Sequence, residues 1–283
     1  MKKLMIIGFT LLLCLSGVYA SGKKEIKSEK SLISVSIVPE QTFVKKIVGD
    51  KMDVLTLIGK GASPEDYELT PKERAAFESS NIYFSMGVTT EALTIIPFID
   101  DDTKLISLSD AVEKVYPALH IGSSRDPHIW MSPKRVIVMI NTIAEEVSKL
   151  DESNRNFYET NAQSYIEQII ALDKYISSYL ADLNNREFIV YHPAFGYFAD
   201  DYNLVCTVIE EEGKEATAKS LSNLIRSAKD KSIKNVFYQA EIAEAQSATI
   251  AKELGGKSIT LNPLADNYIE NLKETAKLIK GNI

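Results

Sequence analysis

Cysteine is nearly absent from this 283-residue chain, which has two, Cys14 and Cys206. Cys14 lies in an N-terminal stretch that reads as removable. One thiol would then remain, and an internal disulfide is excluded. Stability must come from a core, a ligand or both. Basic residues are outnumbered, 32 Lys and Arg against 39 Asp and Glu, for a formal charge of −7. Losing Lys2 and Lys3 with the leader makes that −9, and the isoelectric point is near 5.2. Such a surface excludes nucleic acid as a partner, which requires a basic face. Beyond the leader, no run approaches the roughly 18 apolar residues of a membrane span. No Gly-x-Ser-x-Gly elbow and no His-Glu-x-x-His helix occurs, so two common hydrolase signatures are missing. With 45% hydrophobic and 25% charged residues, the composition is globular and excludes disorder, collagen and coiled coil.

What is present begins with a leader. Met1-Lys2-Lys3 is a short positive segment, residues 4–15 are an apolar core, and Val18-Tyr19-Ala20 ends it. This reads as a secretory signal over residues 1–20, cleaved after Ala20. Export to the periplasm is expected, with membrane tethering left open. Leu11-Leu12-Leu13 lacks the small residue that ordinarily precedes a lipidated cysteine, which disfavours lipidation of Cys14. Residues 21–30 are a polar tether.

From there β-branched runs alternate with helical patterns. Strands are expected at 33–38, 54–58, 82–84 and 104–108, with a helix over 40–48. Thr70-Pro71-Lys72-Glu73 is a capping box with proline at the first helical position. Ser132-Pro133 opens a helix to about residue 150. Residues 151–183 contain neither Gly nor Pro and keep an apolar stripe through Tyr158, Tyr165, Ile169, Leu172, Ile176 and Leu180. They predict one helix on the order of 45 Å long. After it come strands at 188–191, 204–209, 236–238 and 258–261, with helices between them and a closing helix over 268–279. The expected fold is α/β: an N-terminal βα lobe over 31–150, a long rigid linking helix over 151–183, and a C-terminal βα lobe over 184–283.

The chain has three histidines. His128 sits in Asp126-Pro127-His128-Ile129-Trp130, just before a capped helix. His192 sits in Val190-Tyr191-His192-Pro193-Ala194, where a buried strand ends. Ligands of open α/β sheets bind beyond the carboxyl ends of strands. One histidine per lobe at that level suggests a site between lobes, and the bland alternative is two strand-end histidines bonded to nearby carbonyls. His120 is read as a surface residue. The loop 59–68 carries Glu65, Asp66 and Glu68, which are either a solvated acidic turn or a carboxylate donor facing the imidazoles. Imidazoles plus a carboxylate suit Zn²⁺ first, then Mn²⁺ or Fe²⁺.

These segments, with 154–183, 191–199 and 261–271, together resemble the zinc- and manganese-specific substrate-binding proteins of bacterial ABC transporters. The resemblance covers nearly all of the mature chain. It implies a helical-backbone periplasmic binding protein that holds one metal ion in the interlobe cleft and delivers it to a membrane permease, here as a monomer. Residue by residue, it places family histidines on His128 and His192. The first family histidine, in an Asp-Pro-His-x-Tyr loop, falls on Glu65 of Ser63-Pro64-Glu65-Asp66-Tyr67, which makes the site harder and more anionic. The fourth position falls on Asn262, with Asp266, water or the second oxygen of Glu65 as alternatives. A histidine-rich loop common in zinc-binding members is missing. The alternative function from another class is a zinc-dependent hydrolase, since two histidines, a carboxylate and an open position also describe a catalytic zinc site.

Four further features are read as structural. Ala251 to Ser258 mimics a phosphate loop but runs from helix to strand, so Gly255-Gly256 is a helix C-cap. Glu210-Glu211-Glu212 is a solvated rim. Trp130 packs to fix the ligand loop. Gln239 and Glu241 are either a helix start or a support for His192.

Overall fold

The computed structural model describes residues 30–210, 216–239 and 244–283. The leader with Cys14, the tether up to residue 29, and Glu211, Glu212 and Glu241 lie outside the described residues. Among the described residues, no helix is long and apolar enough to cross a membrane.

Two four-stranded parallel sheets organise the chain. The first takes β1 (Leu32–Val35), β2 (Asp53–Thr56), β3 (Ile82–Ser85) and β4 (Lys104–Ser107) in the order β2-β1-β3-β4. The second takes β7 (Glu187–Val190), β8 (Val205–Val208), β9 (Val236–Gln239) and β10 (Ser258–Leu261) in the order β10-β9-β7-β8. Central strands are apolar on both faces, as parallel sheets covered by helices require. β3 is buried at all four positions, and Phe188, Ile189 and Val190 of β7 are each at most 1% exposed. In each sheet the chain starts at an inner strand, pairs one side and then the other. That leaves a switch point at the carboxyl edge, between β1 and β3 and between β7 and β9, where such sheets bind ligands. A two-residue hairpin, β5 (His120–Ile121) and β6 (Ser124–Arg125), precedes the His128 turn.

Helices α1 (Val38–Val48), α2 (Pro71–Phe77), α3 (Leu108–Glu113) and α4 (Pro133–Leu150) accompany the first sheet. The capping box at α2 is formed: Thr70 Oγ1 accepts from Glu73 N–H, and Glu73 Oε2 accepts from Thr70 N–H at 2.8 Å. Ser132 caps α4 by accepting from Arg135 N–H.

The long helix is shorter than the uninterrupted 151–183 segment. A single 3₁₀ turn, Glu152–Asn154, comes first, and α5 runs Arg155–Tyr179, 25 residues or about 37 Å. Asp151 makes the break: its carboxylate accepts from Ser153 Oγ, Asn154 Nδ2 and Tyr158 Oη at 2.6–2.7 Å. A side chain that binds its own local backbone turn competes with the helix. The apolar stripe is as expected, with Tyr158, Tyr165, Ile169, Leu172 and Ile176 each at most 2% exposed. Through it α5 packs on α1 and α4 of the first half and on α9 (Tyr268–Lys280) of the second.

The second sheet carries α6 (Gly196–Asp201), α7 (Ala218–Asp230) and α8 (Glu244–Glu253). α8 ends in Gly255 at φ +74°, with Gly256 N–H bonded to Ala251 O at 2.9 Å. That is the expected C-cap and not a phosphate loop. Cys206 is partly buried against the core, and burial raises its thiol, helped by the charge of Asp126, so it stays protonated and inert.

The two halves meet along a seam of long-range polar bonds. Trp130 Nε1–H donates to Pro263 O at 2.8 Å, and Tyr268 Oη–H donates to Trp130 O at 2.8 Å. Arg135, 1% exposed, pairs with Asp201 at 3.0 Å while its guanidinium lies 4.4 Å from the Tyr197 ring centre. Buried polar bonds of this kind favour one arrangement of the halves, although Arg135 Nε has no bonding partner among the described residues.

Candidate metal centre

Three of the sequence-predicted residues converge. Glu65, His128 and His192 each present one donor atom, and these atoms lie within 4.8 Å of one another. His192 Nε2 is 3.3 Å from His128 Nε2 and 3.2 Å from Glu65 Oε1. A zinc tetrahedron with bonds of roughly 2.0–2.1 Å has edges of about 3.3 Å. The two edges that meet at His192 Nε2 match that length, and Glu65 and His128 present their donors within 4.8 Å of each other.

Each imidazole is oriented from behind. His128 opens the 3₁₀ turn Ile129–Met131 and is 6% exposed. Asp126 Oδ1 accepts from its backbone N–H at 2.9 Å and faces its Nδ1 at 2.7 Å. His192 lies two residues past β7 and is 4% exposed, and its Nδ1 faces Glu210 Oε2 at 2.7 Å. A carboxylate on Nδ1 holds a proton there and aims Nε2 at the shared point, where a metal ion would displace any proton that Nε2 carries. Among the described residues, each imidazole Nδ1 faces a carboxylate and neither ring is bonded to a backbone carbonyl.

Electrostatics follow the same geometry. Burial pushes the His192 imidazole down, but the carboxylates of Glu210 and Glu65 outweigh it and lift the group to about 9. The His192 hydrogen bond holds the Glu65 carboxyl below its ordinary range against the opposing effect of burial. The centre is built to hold positive charge.

The space among the donors is about 10 Å³ and is lined also by Val88, Trp130, Gln239, Pro263 and Leu264. That is room for one ion or one water. It adjoins a wider cavity of about 420 Å³ bordered by Thr89, Ser123, Ser124, Arg125 and Pro193. Trp130 lies 5.2 Å from the His128 ring, centre to centre, with its N–H bonded across the seam, so it packs and fixes as expected. His120 is exposed in β5, as expected for a surface residue.

Two expectations need correction. Asn262 does not join the cluster: it is exposed, its Oδ1 accepts from Leu264 N–H at 3.0 Å, and its carbonyl accepts from Asn271 Nδ2. An Asn-Pro pair favours such a turn, and the next two residues line the cavity instead. Asp266 is also elsewhere, ion-paired to Lys60 at 2.6 Å. Among the described residues, no fourth His, Cys, Asp or Glu joins the three. Glu210, read as a solvated rim, is instead bound to His192, with its side chain 12% exposed. The β7–β8 register, Val190 opposite Val208, carries both residues past the sheet edge side by side. Gln239 lines the cavity beside His192. Asp126 was visible only as a neighbour of His128. Gly196 makes room for it, since a Cβ there would lie 2.8 Å from Asp126 Oδ2.

Comparison with known proteins agrees with this architecture. The family described as ZnuA, zinc-uptake complex component A periplasmic, matches residues 33–282. The high-affinity zinc uptake system protein ZnuA of Bacillus subtilis is 28% identical over 291 residues, covering 93% of this chain and 90% of that one. The zinc-binding lipoprotein AdcA of Streptococcus pneumoniae is 27% identical over 306 residues; the match spans 99% of this chain and 61% of AdcA. A solved structure, a 138-173 deletion mutant of ZnuA with zinc bound, is 34% identical and superposes with a TM-score of 0.84, over 89% of this chain and 98% of that one.

Proposed function

This chain belongs to the ZnuA family of zinc-uptake components, and on that premise we propose that it captures a divalent transition metal, zinc before manganese or iron, and hands it to the permease of an ABC transporter. The observation that carries the reading is the convergence of one donor atom each from Glu65, His128 and His192 within 4.8 Å, with His192 Nε2 3.2–3.3 Å from the other two. Two imidazoles and a carboxylate are a zinc donor set, and the single oxygen keeps manganese and iron in contention. Glu65, Asp126 and Glu210 place three carboxylates in or behind the site against the charge of one divalent ion. Water from the adjoining cavity completes the coordination.

We assign the binding unit to the lobes 31–150 and 184–283 with 151–183 linking them. Glu65 and His128 come from the first lobe and His192 from the second. Separating the lobes by a small amount would remove one donor from two, which is enough to release the ion. The Trp130–Pro263 and Arg135–Asp201 seam keeps that movement small. The protein acts outside the cytoplasm, exported by its leader, as a monomer. The alternative of a zinc-dependent hydrolase draws no support from the relatives, which carry uptake or metal-binding names.

Titration of chelator-stripped mature protein with Zn²⁺ against a chromogenic chelator, repeated with Mn²⁺, Fe²⁺ and Ca²⁺, tests the reading. Tight zinc binding that His128→Ala and His192→Ala each abolish is the expected result. Zinc affinity left unchanged in both variants sinks it.

A further inference from the structure

Glu65 stands on a loop with little backbone bonding of its own. Among the described residues, backbone-to-backbone hydrogen bonding inside residues 59–69 amounts to Ala62 N–H to Gly59 O. A ligand on such a loop would lose its freedom when it met the metal, and affinity would fall accordingly. Two hydroxyls from another element hold the loop on both sides of Glu65. Thr90 Oγ1 donates to Pro64 O at 2.6 Å, and the Thr94 hydroxyl shares its one proton between Thr90 O at 3.1 Å and Tyr67 O at 3.3 Å.

The element that carries them is unusual. Glu91–Ile95 is a π-turn, closed by Ile96 N–H bonding to Glu91 O. Isolated π-turns are rare and concentrate at functional places. This one is anchored beneath by Glu91, 2% exposed, whose carboxylate accepts from Met86 N–H at 2.8 Å, from Gly87 N–H at 2.6 Å and from the Ser36 hydroxyl. Gly87, at φ +94°, gives the turn the conformation in which both N–H groups reach that carboxylate. The result is a continuous connection from the ends of β1 and β3 through Glu91 and Thr90 to the carbonyl that precedes Glu65. Thr90 itself is 2% exposed and so has no alternative partner in solvent.

We propose that Thr90, braced by Glu91 on the π-turn, is the positioning residue of the metal site: its hydroxyl fixes the Pro64 carbonyl and so sets where the Glu65 carboxylate stands relative to the two imidazoles. The proposal rests on the reading of Glu65, His128 and His192 as the metal-holding set.

The test compares Thr90→Val, which keeps the shape and loses the hydroxyl, with Thr90→Ser, which keeps the hydroxyl. Both are measured by zinc competition and by the visible spectrum of bound Co²⁺, whose intensity and position report coordination geometry. Thr90→Val should weaken zinc binding about tenfold, the range found for groups that orient a ligand without touching the metal. It should also change the Co²⁺ spectrum, while Thr90→Ser restores both. Wild-type affinity and spectrum in Thr90→Val would overturn the proposal, as would a Thr90→Ser variant as impaired as the valine. Should Thr90→Val not fold, Thr94→Val at the partly exposed end of the clamp serves instead. It is expected to weaken zinc binding a few-fold, and no change would count against the clamp. His128→Ala separates the two levels. If it loses zinc while Thr90→Val keeps it, the clamp alone falls. If it too binds like wild type, the metal reading falls and takes the clamp with it.

Discussion

Asp126 grips His128 twice with one oxygen, taking the backbone N–H at 2.9 Å and the ring Nδ1 at 2.7 Å. The first bond fixes the turn, and the second fixes the ring and its tautomer. Removing the carboxylate frees the imidazole to rotate and to move its proton to Nε2. Asp126→Ala is therefore expected to weaken zinc binding 10- to 100-fold with the three donors still in place. Asp126→Asn, which can still accept a hydrogen bond but carries no charge, should fall between that variant and wild type. Competition titration of the three proteins checks the order. An Asp126→Ala protein with native affinity would show that the ring is held by other means.

Glu65 stands where the resemblance implies a third histidine, and its replacement is expected to distinguish hard from soft cargo. Glu65→His should keep or raise zinc affinity while lowering that for manganese, because a third imidazole suits the borderline-soft ion and removes the only carboxylate oxygen among the three donors. Glu65→Ala should weaken both. The ratio of zinc to manganese dissociation constants in the three proteins is the measurement. A ratio unmoved by Glu65→His, together with undiminished affinity in Glu65→Ala, would remove Glu65 from the site.

The fold was legible in the sequence where the signal is local. Thr70 and Glu73, Ser132, and Gly255 with Gly256 sit where capping chemistry puts them, and His192 follows a strand recognisable by its apolar run. What was not legible depends on register or on departures from period. Glu210 reaches His192 because β8 pairs with β7 in one particular alignment, which no pattern along either strand encodes. The π-turn is too short to announce itself as a periodicity, and its role emerges only when Thr90 is seen to bond 26 residues back. Asn262 lies in an exposed turn away from the three donors. An Asn-Pro pair favours a self-bonded turn, and Asn262 Oδ1 accepts from Leu264 N–H where the resemblance implies a fourth ligand.

The seam between the halves should be a main determinant of stability. Asp201 accepts from Arg135 Nη1 at 3.0 Å, from Ser132 Oγ at 2.6 Å and from Lys134 Nζ at 2.6 Å, with its side chain 2% exposed. Removing one partner of a buried ion pair leaves the other charge without compensation and costs about 3–5 kcal/mol. Asp201→Ala should destabilise the protein on that scale. Asp200 Oδ2, 3.5 Å from Arg135 Nη2, is a remaining anion that would pull the figure toward the lower end. Chemical denaturation of metal-free protein measures it. A loss under about 1 kcal/mol, the range of exposed pairs, would mean the seam is better solvated than its burial indicates.

Glu40 gives a pH prediction away from the metal-facing residues. Its side chain is fully buried at the start of α1, where Oε2 accepts from Ser36 N–H at 2.8 Å while Oε1 has no bonding partner. Burial, and then the charge of Glu91, push its carboxyl well above the ordinary range, and the buried Tyr83 hydroxyl shares the same pocket through Ser36. A carboxyl whose folded pKa exceeds its unfolded value holds its proton in the fold after the unfolded chain has released it. The stability it contributes is complete below the unfolded value of 4.5 and declines as pH rises from there to the folded value. The slope of that decline is at most about 1.4 kcal/mol per pH unit for one proton. Glu40→Gln removes the titration and keeps an acceptor for Ser36 N–H. The variant should match wild type near pH 4.5 and gain on it as pH rises, until the folded carboxyl itself ionises, measured by denaturant unfolding with chelator present so that metal linkage is absent. A stability difference that stays constant across that range, or shrinks with rising pH, would show that Glu40 is ionised in the native protein and that its buried oxygen is stabilised by a contact other than a proton.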